Sequence, residues 1–168
     1  MLASLAGTAV LLALLVAWTQ WQPQRSQDST NAAFTELSNG QSASGAAAVA
    51  DYTLAESDAR RAMSENPVDY QPLVWLADAQ ADLHHPKNGY ASIVRAVQLQ
   101  PSNPQTWYEL AIYDAYQLGD PKDALAALSR SLFLYPQSSA AASLYLSLLP
   151  EVRSSTSKTR HSRAGAKH

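Results

Sequence analysis

LQPSNPQTWYELAIYDAYQLGDPKDALAALSRSLFLYP, Leu99 to Pro136, is the stretch whose reading decides the fold. Two apolar runs of helical length are separated by Gly119-Asp120-Pro121 and bracketed by Pro101 and Pro136. The first run places Trp107, Leu110 and Ala111 at i, i+3 and i+4, one face of a helix. The second places Ala124, Leu128 and Ser131 at i, i+4 and i+7. A small residue beside a bulky one on each facing stripe lets two helices approach closely. Asp120 before Pro121 is a strong helix start, an N-cap side chain followed by a residue whose φ is already helical. The stretch predicts an antiparallel helical hairpin.

The same pattern recurs upstream. Pro67, Pro101 and Pro136 stand 34 and 35 residues apart, each closing an Ala-rich helical segment. A helix–turn–helix repeated at about 34 residues is the tetratricopeptide spacing. The 104–136 unit fits it with one extra residue between Ala111 and Gly119, so that Tyr113 and Tyr116 straddle the expected aromatic position. The 70–101 unit is looser, with Leu73, Leu76 and Ala77, then Gly89, Ile93 and Ala96. Ala55, Ala59 and Ala62 ahead of Pro67 form a good second helix, whose first helix is expected near Ser26–Asn39. Helices are expected over Tyr52–Glu65, Tyr70–Leu83, Lys87–Leu99, Pro104–Leu118, Lys122–Leu134 and Ser139–Leu149. No Val, Ile and Thr run alternates with period 2, so no sheet is expected.

The flanks read differently. Leu2 to Trp18 is a run of 17 uncharged residues, against roughly 17–25 for a bilayer-spanning helix. Trp18 and Trp21 follow at its end, as interfacial indoles do, and Pro23 stops it. The start carries no Lys or Arg, and Ala17-Trp18-Thr19 makes a poor cleavage site, so an uncleaved anchor fits better than a secretory signal. Gln41–Ala50 is small and polar and reads as a flexible insert. From Gln24 to Glu151 there are 7 Lys and Arg against 14 Asp and Glu; from Val152 to His168 there are 5 Lys and Arg and no acid. A basic, nearly apolar-free tail gives no reason to order. The sequence thus predicts an all-α chain in four parts: a transmembrane anchor over 1–22, a linker with a short helix over 23–50, a short tetratricopeptide-type solenoid over 51–150, and a disordered basic tail over 151–168.

The Leu99–Pro136 stretch closely resembles the terminal repeats of actinobacterial membrane proteins of the O-antigen ligase and polymerase-like family. The order of parts is also similar: an apolar helix ending in AWTQWQP (Ala17–Pro23), a linker, an alanine-rich helix closed by Asn66-Pro67, then two repeats. The resemblance covers about residues 1–150. It implies a role in cell-envelope glycan assembly and a repeat region on the extracytoplasmic side of a single-pass membrane protein held through residues 2–21. It carries over no catalytic residue, because the multi-helix ligase body is missing from this chain.

The residues themselves point to binding rather than chemistry. There is no cysteine, hence no disulfide or thiol chemistry. His84-His85 is the only histidine cluster, and adjacent helical residues do not share a face, so it reads as a polar turn. There is no glycine-rich phosphate loop and no nucleophile elbow. No enzyme, cofactor or metal site is expected, and the acidic body argues against nucleic acid. In stacked hairpins the first helices line the groove that takes peptides. Gln71, Val74 and Asp78 from one unit and Gln105, Tyr108 and Ile112 from the next are expected there, with Trp107 turned into the core. The expected function is a membrane-anchored module for protein–protein interaction, its partner a protein or peptide of a membrane complex. The alternatives are a glycan-handling accessory of a ligase-like or polymerase-like enzyme and a cytoplasm-facing membrane scaffold.

Overall fold

The computed structural model describes residues 26–165, with side chains described as far as Val152. The described residues are helical throughout, without a strand. In chain order they form α1 (26–42), then α2 (Gly45–Glu65), α3 (Gln71–Asp82), α4 (Pro86–Leu99), α5 (Pro104–Ile112), a π-helical turn (Tyr113–Gln117), α6 (Pro121–Leu134) and α7 (Ser139–Gly165). The chain divides between His85 and Pro86 into two compact units. The division falls between α3 and α4, inside the unit expected over 70–101.

The proline register is the frame of the fold. α2, α4 and α6 each end two residues before their proline, at Glu65, Leu99 and Leu134. Asn66 (φ −138, ψ 87) and Tyr135 (φ −140, ψ 85) leave the helical region, as the residue before a proline must to avoid its ring. The small positions behave as the spacing requires. Ala55, Ala59 and Ala62 on α2, Gly89, Ile93 and Ala96 on α4, and Ala124, Leu128 and Ser131 on α6 are all buried.

In the first unit, α1, α2 and α3 share one core. Ala33, Ala59 and Leu76 pack together, as do Leu37, Ala55 and Ala79. Trp75 lies against both clusters, and its ring stands 5.1 Å from that of Phe34, tilted by 50°. At Gly40 α1 comes close to α2: a Cβ there would come 2.5 Å from the Tyr52 ring. The Gln80 amide on α3 donates to Glu56 on α2 at 3.1 Å, and the Ser29 hydroxyl on α1 donates to Glu65 at 2.9 Å.

The end of α3 explains the histidine pair. His84 has φ 63, and the His84 and His85 amides donate to the carbonyls of Ala81 and Gln80 at 2.9 and 2.7 Å. That is a Schellman cap, with a left-handed residue satisfying carbonyls the helix would otherwise leave unpaired.

In the second unit, α4 to α7 pack in sequence, each against the next. Side chains lock the hairpins through proline carbonyls. The Ser131 hydroxyl on α6 donates to Pro104 at 2.9 Å, and the Tyr113 phenol donates to Pro86 at 2.8 Å. Asn103 and Asp120 cap α5 and α6 by accepting from backbone amides. α7 docks through Ala141, Leu144 and Leu148, which are buried.

Four expectations are corrected. The stretch Leu2–Trp18, expected as a single-pass anchor, lies outside the described residues, and among the described residues no helix is long and apolar enough to cross a membrane. The long helices are charged: α2 carries Asp51, Glu56, Asp58, Arg60, Arg61 and Glu65, and α7 ends in a run rich in Ser, Arg and Lys. The membrane fold class and the single-pass extracytoplasmic localisation therefore give way to an all-α helical-repeat chain. The tail expected to be disordered is helical through Gly165. Pro150 sits inside that helix, where it removes one backbone donor and its ring crowds the carbonyl four residues earlier. The expected flexible insert is broken only at 43–44, and α2 begins at Gly45, because its alanines are strong helix formers. Finally, helix α5 stops at Ile112 and the chain continues as the π-helical turn. The extra residue counted between Ala111 and Gly119 is absorbed as a widened turn, a common way for a helix to take up an insertion.

Candidate functional site

α5 offers two opposite faces. One carries Gln105, Tyr108, Glu109 and Ile112, followed within the π turn by Tyr116. Gln105, Tyr108 and Ile112 are three and four residues apart and lie along one side of the helix, with Glu109 next to Tyr108. Tyr116 is 69% exposed, Gln105 is exposed, and Tyr108, Glu109 and Ile112 are half-buried. The Gln105 amide donates to the Glu109 carboxylate at 2.6 Å. Burial raises the Glu109 pKa against the lowering effect of that hydrogen bond. Burial, helped by Glu109 and Tyr116, raises the Tyr108 phenol. The face thus combines apolar area, phenols and one restrained carboxylate.

The expected groove residues fall in both units. Gln105, Tyr108 and Ile112 come together on α5 as the spacing required. Gln71, Val74 and Asp78 share a side of α3 in the first unit, where Gln71 is exposed, Asp78 half-buried, and Val74 only 5% exposed. Val74 therefore contributes packing.

The other face of α5 was not foreseen. Trp107 was expected in the core between α5 and α6. It is half-buried, with its indole N–H donating to the Pro101 carbonyl at 2.8 Å. The core is filled instead by Leu110, Ala111, Leu128 and Tyr113, the last only 2% exposed. Trp107 walls a cleft of about 310 Å³ together with Tyr90 on α4, Leu110 and Asp114, and Asp123, Ala126, Ala127 and Arg130 on α6. The π turn builds this cleft. Its extra residue turns Tyr113 into the core and leaves Asp114, next in sequence, facing the space between α4 and α6.

Asp114 is 3% exposed as a residue, and it lines the cleft. Burial, then the charges of Asp123 and Asp120, push its pKa from 3.8 up to about 6. Both effects disfavour the ionised form. Tyr90 is raised by burial and by the same three aspartates. Asp120 is held as the α6 N-cap, accepting from the amides of Lys122 and Asp123 at 3.1 Å each. Gly119, at φ 64, makes the reversal that brings the Asp120 amide to the Asp114 carbonyl at 2.8 Å, a conformation costly for any residue with a Cβ. Among the described residues no group of three His, Cys, Asp or Glu side chains is placed to hold a metal ion. The one sequence signal for the cleft was the extra residue before Gly119.

No protein-family model matches the chain, and no curated protein sequence matches it. Solved structures do. A thermophilic TPR protein of Thermus thermophilus superposes with a TM-score of 0.69 at 21% identity, covering 82% of this chain and 69% of that one. The second TPR domain of human RPAP3, solved with an HSP70 peptide, gives 0.57 at 16% identity, covering 77% and 96%. The Yersinia enterocolitica type III secretion chaperone SycD, solved with a peptide of the translocator YopD, gives 0.56 at 12%, covering 74% and 92%. An O-GlcNAc transferase of Thermobaculum terrenum also matches, but this chain spans only 22% of its length. The chain has a tetratricopeptide-type helical repeat fold. None of these comparisons links it to O-antigen ligase-like or polymerase-like proteins.

Proposed function

We propose that the chain is a peptide-binding module that acts by recognition, without turnover. The observation that carries this reading is the α5 face. Tyr108 and Ile112 on the first helix of a hairpin, with Tyr116 on the π turn that follows, present phenol and aliphatic surface beside the hydrogen-bonded Gln105–Glu109 pair. Tyrosine gives large apolar area and a hydroxyl with few rotors to freeze, which suits an interface anchor. Two neighbours of the same fold, RPAP3 and SycD, were solved with peptides bound. A surface this small supports modest affinity. Replacing Tyr108 by Ala is expected to weaken peptide capture at least tenfold while leaving the helical signal and melting temperature unchanged. Equal capture by parent and variant would remove α5 from the recognition surface.

A further inference from the structure

The cleft opposite the recognition face has a built interior that the peptide-binding reading does not use. Its floor is Asp114, a residue 3% exposed whose carboxylate lines the cleft. A second carboxylate, Asp123, stands on the rim, and two aromatic rings, Tyr90 and Trp107, form the walls. No described basic side chain closes the site from within. Arg130 lines the same cleft but lies seven residues, about 10 Å, along α6 from Asp123. It makes no ion pair with a described residue.

We propose that this cleft is a binding site for a single cationic side chain, an arginine or lysine of a partner peptide, whose head meets Asp114 and Asp123 and whose stem lies between Tyr90 and Trp107. Carboxylate acceptors give charge-assisted hydrogen bonds, and the indole and phenol faces add cation–π attraction. A cleft of about 310 Å³ is of the size that takes one long side chain. Arg130 at the far end disfavours a second cation beside the first, so a lone basic residue with neutral neighbours fits better than a basic run. The groups facing Asp114 are Tyr90 from α4 and Asp120, Asp123 and Arg130 from α6 and its cap. Of these carboxylates Asp114 is the one held half-protonated near pH 6, so occupancy should fall as the solution is acidified through that range.

The test is an NMR titration of the full chain with an acetylated, amidated Gly-Ser-Arg-Ser-Gly pentapeptide, against the same peptide with citrulline replacing arginine. Citrulline keeps the shape and removes the charge. The expected result is movement of the Trp107 indole and the Ala126 and Ala127 amides with the arginine peptide at pH 7.5. Citrulline should give at least tenfold weaker binding, and so should the arginine peptide at pH 5. Asp114→Asn should abolish the response while keeping the fold, as read by its melting temperature. Asp123→Asn, an exposed change, should weaken binding without touching the interior, and serves if Asp114→Asn fails to fold. Equal shifts with citrulline, retained binding in either variant, or shifts confined to Tyr108 and Ile112 would overturn the proposal. The last outcome would leave the peptide-binding reading standing.

Discussion

Replacing Asp114 by Asn should stabilise the protein at neutral pH and make no difference in acid. The residue is 3% exposed and its pKa is raised from 3.8 to about 6. The folded state therefore binds the proton more tightly than the unfolded chain does. Stability from this group is fully present below about pH 4 and is lost as pH rises through about 6. At about 1.4 kcal/mol for each tenfold change in acidity constant, the ionised side chain costs the fold at most about 3 kcal/mol above pH 7, and less because solvent in the open cleft screens it. Asn keeps the shape and carries no charge but still buries a polar amide, so the variant should gain about 1–2 kcal/mol at pH 7.5. For a chain of this size that is a rise of about 2–8 °C in melting temperature. The assay is urea or thermal unfolding of parent and variant at matched pH from 4 to 7.5, followed by far-ultraviolet dichroism. The difference between the two curves is what matters, because other carboxylates titrate in both proteins and cancel. A difference that grows from near zero at pH 4 to its full value by pH 7 supports the burial argument. A constant difference, or a variant less stable at every pH, would show that Asp114 is satisfied in the folded protein and the reasoning is wrong.

The helix interface and the α3 cap respond to other substitutions. Leu128 is fully buried between α5 and α6, so Leu128→Ala should cost about 2–5 kcal/mol in chemical denaturation; an unchanged midpoint would place the helix interface elsewhere. His84→Gly should hold or raise the melting temperature by relieving a left-handed backbone at φ 63, a gain of at most about 1 kcal/mol. A loss would mean the imidazole does something the cap does not require.

The hairpins were legible because their determinants are local. Pro67, Pro101 and Pro136 stop helices through their own rings, and the alanines ahead of them are small wherever they land. The π turn was legible only as a surplus residue. A count of spacing shows that something must bulge, but whether Tyr113 or Asp114 turns inward depends on how α4 and α6 close around it. Trp107 was misplaced for the same reason: its indole found the Pro101 carbonyl at the edge of the hairpin, and Tyr113 took the interior. The break between α1 and α2 looked like a linker because small polar residues favour flexibility in isolation. In the folded chain Gly40 against Tyr52 lets α1 end in contact with α2. Charge composition suggested a disordered end, yet α7 carries its helix past Pro150, anchored by Leu144 and Leu148.

The central claim is that the α5 face recognises peptide. Peptides selected from a random displayed library on the full chain, then measured by fluorescence polarisation against the parent, Tyr108→Ala and Asp114→Asn, test it directly. The expected result is a selected set whose binding falls at least tenfold in Tyr108→Ala at unchanged melting temperature and that survives in Asp114→Asn when the peptide has no basic residue. A library that yields no binders, or binders that hold Tyr108→Ala as tightly as the parent, would contradict it.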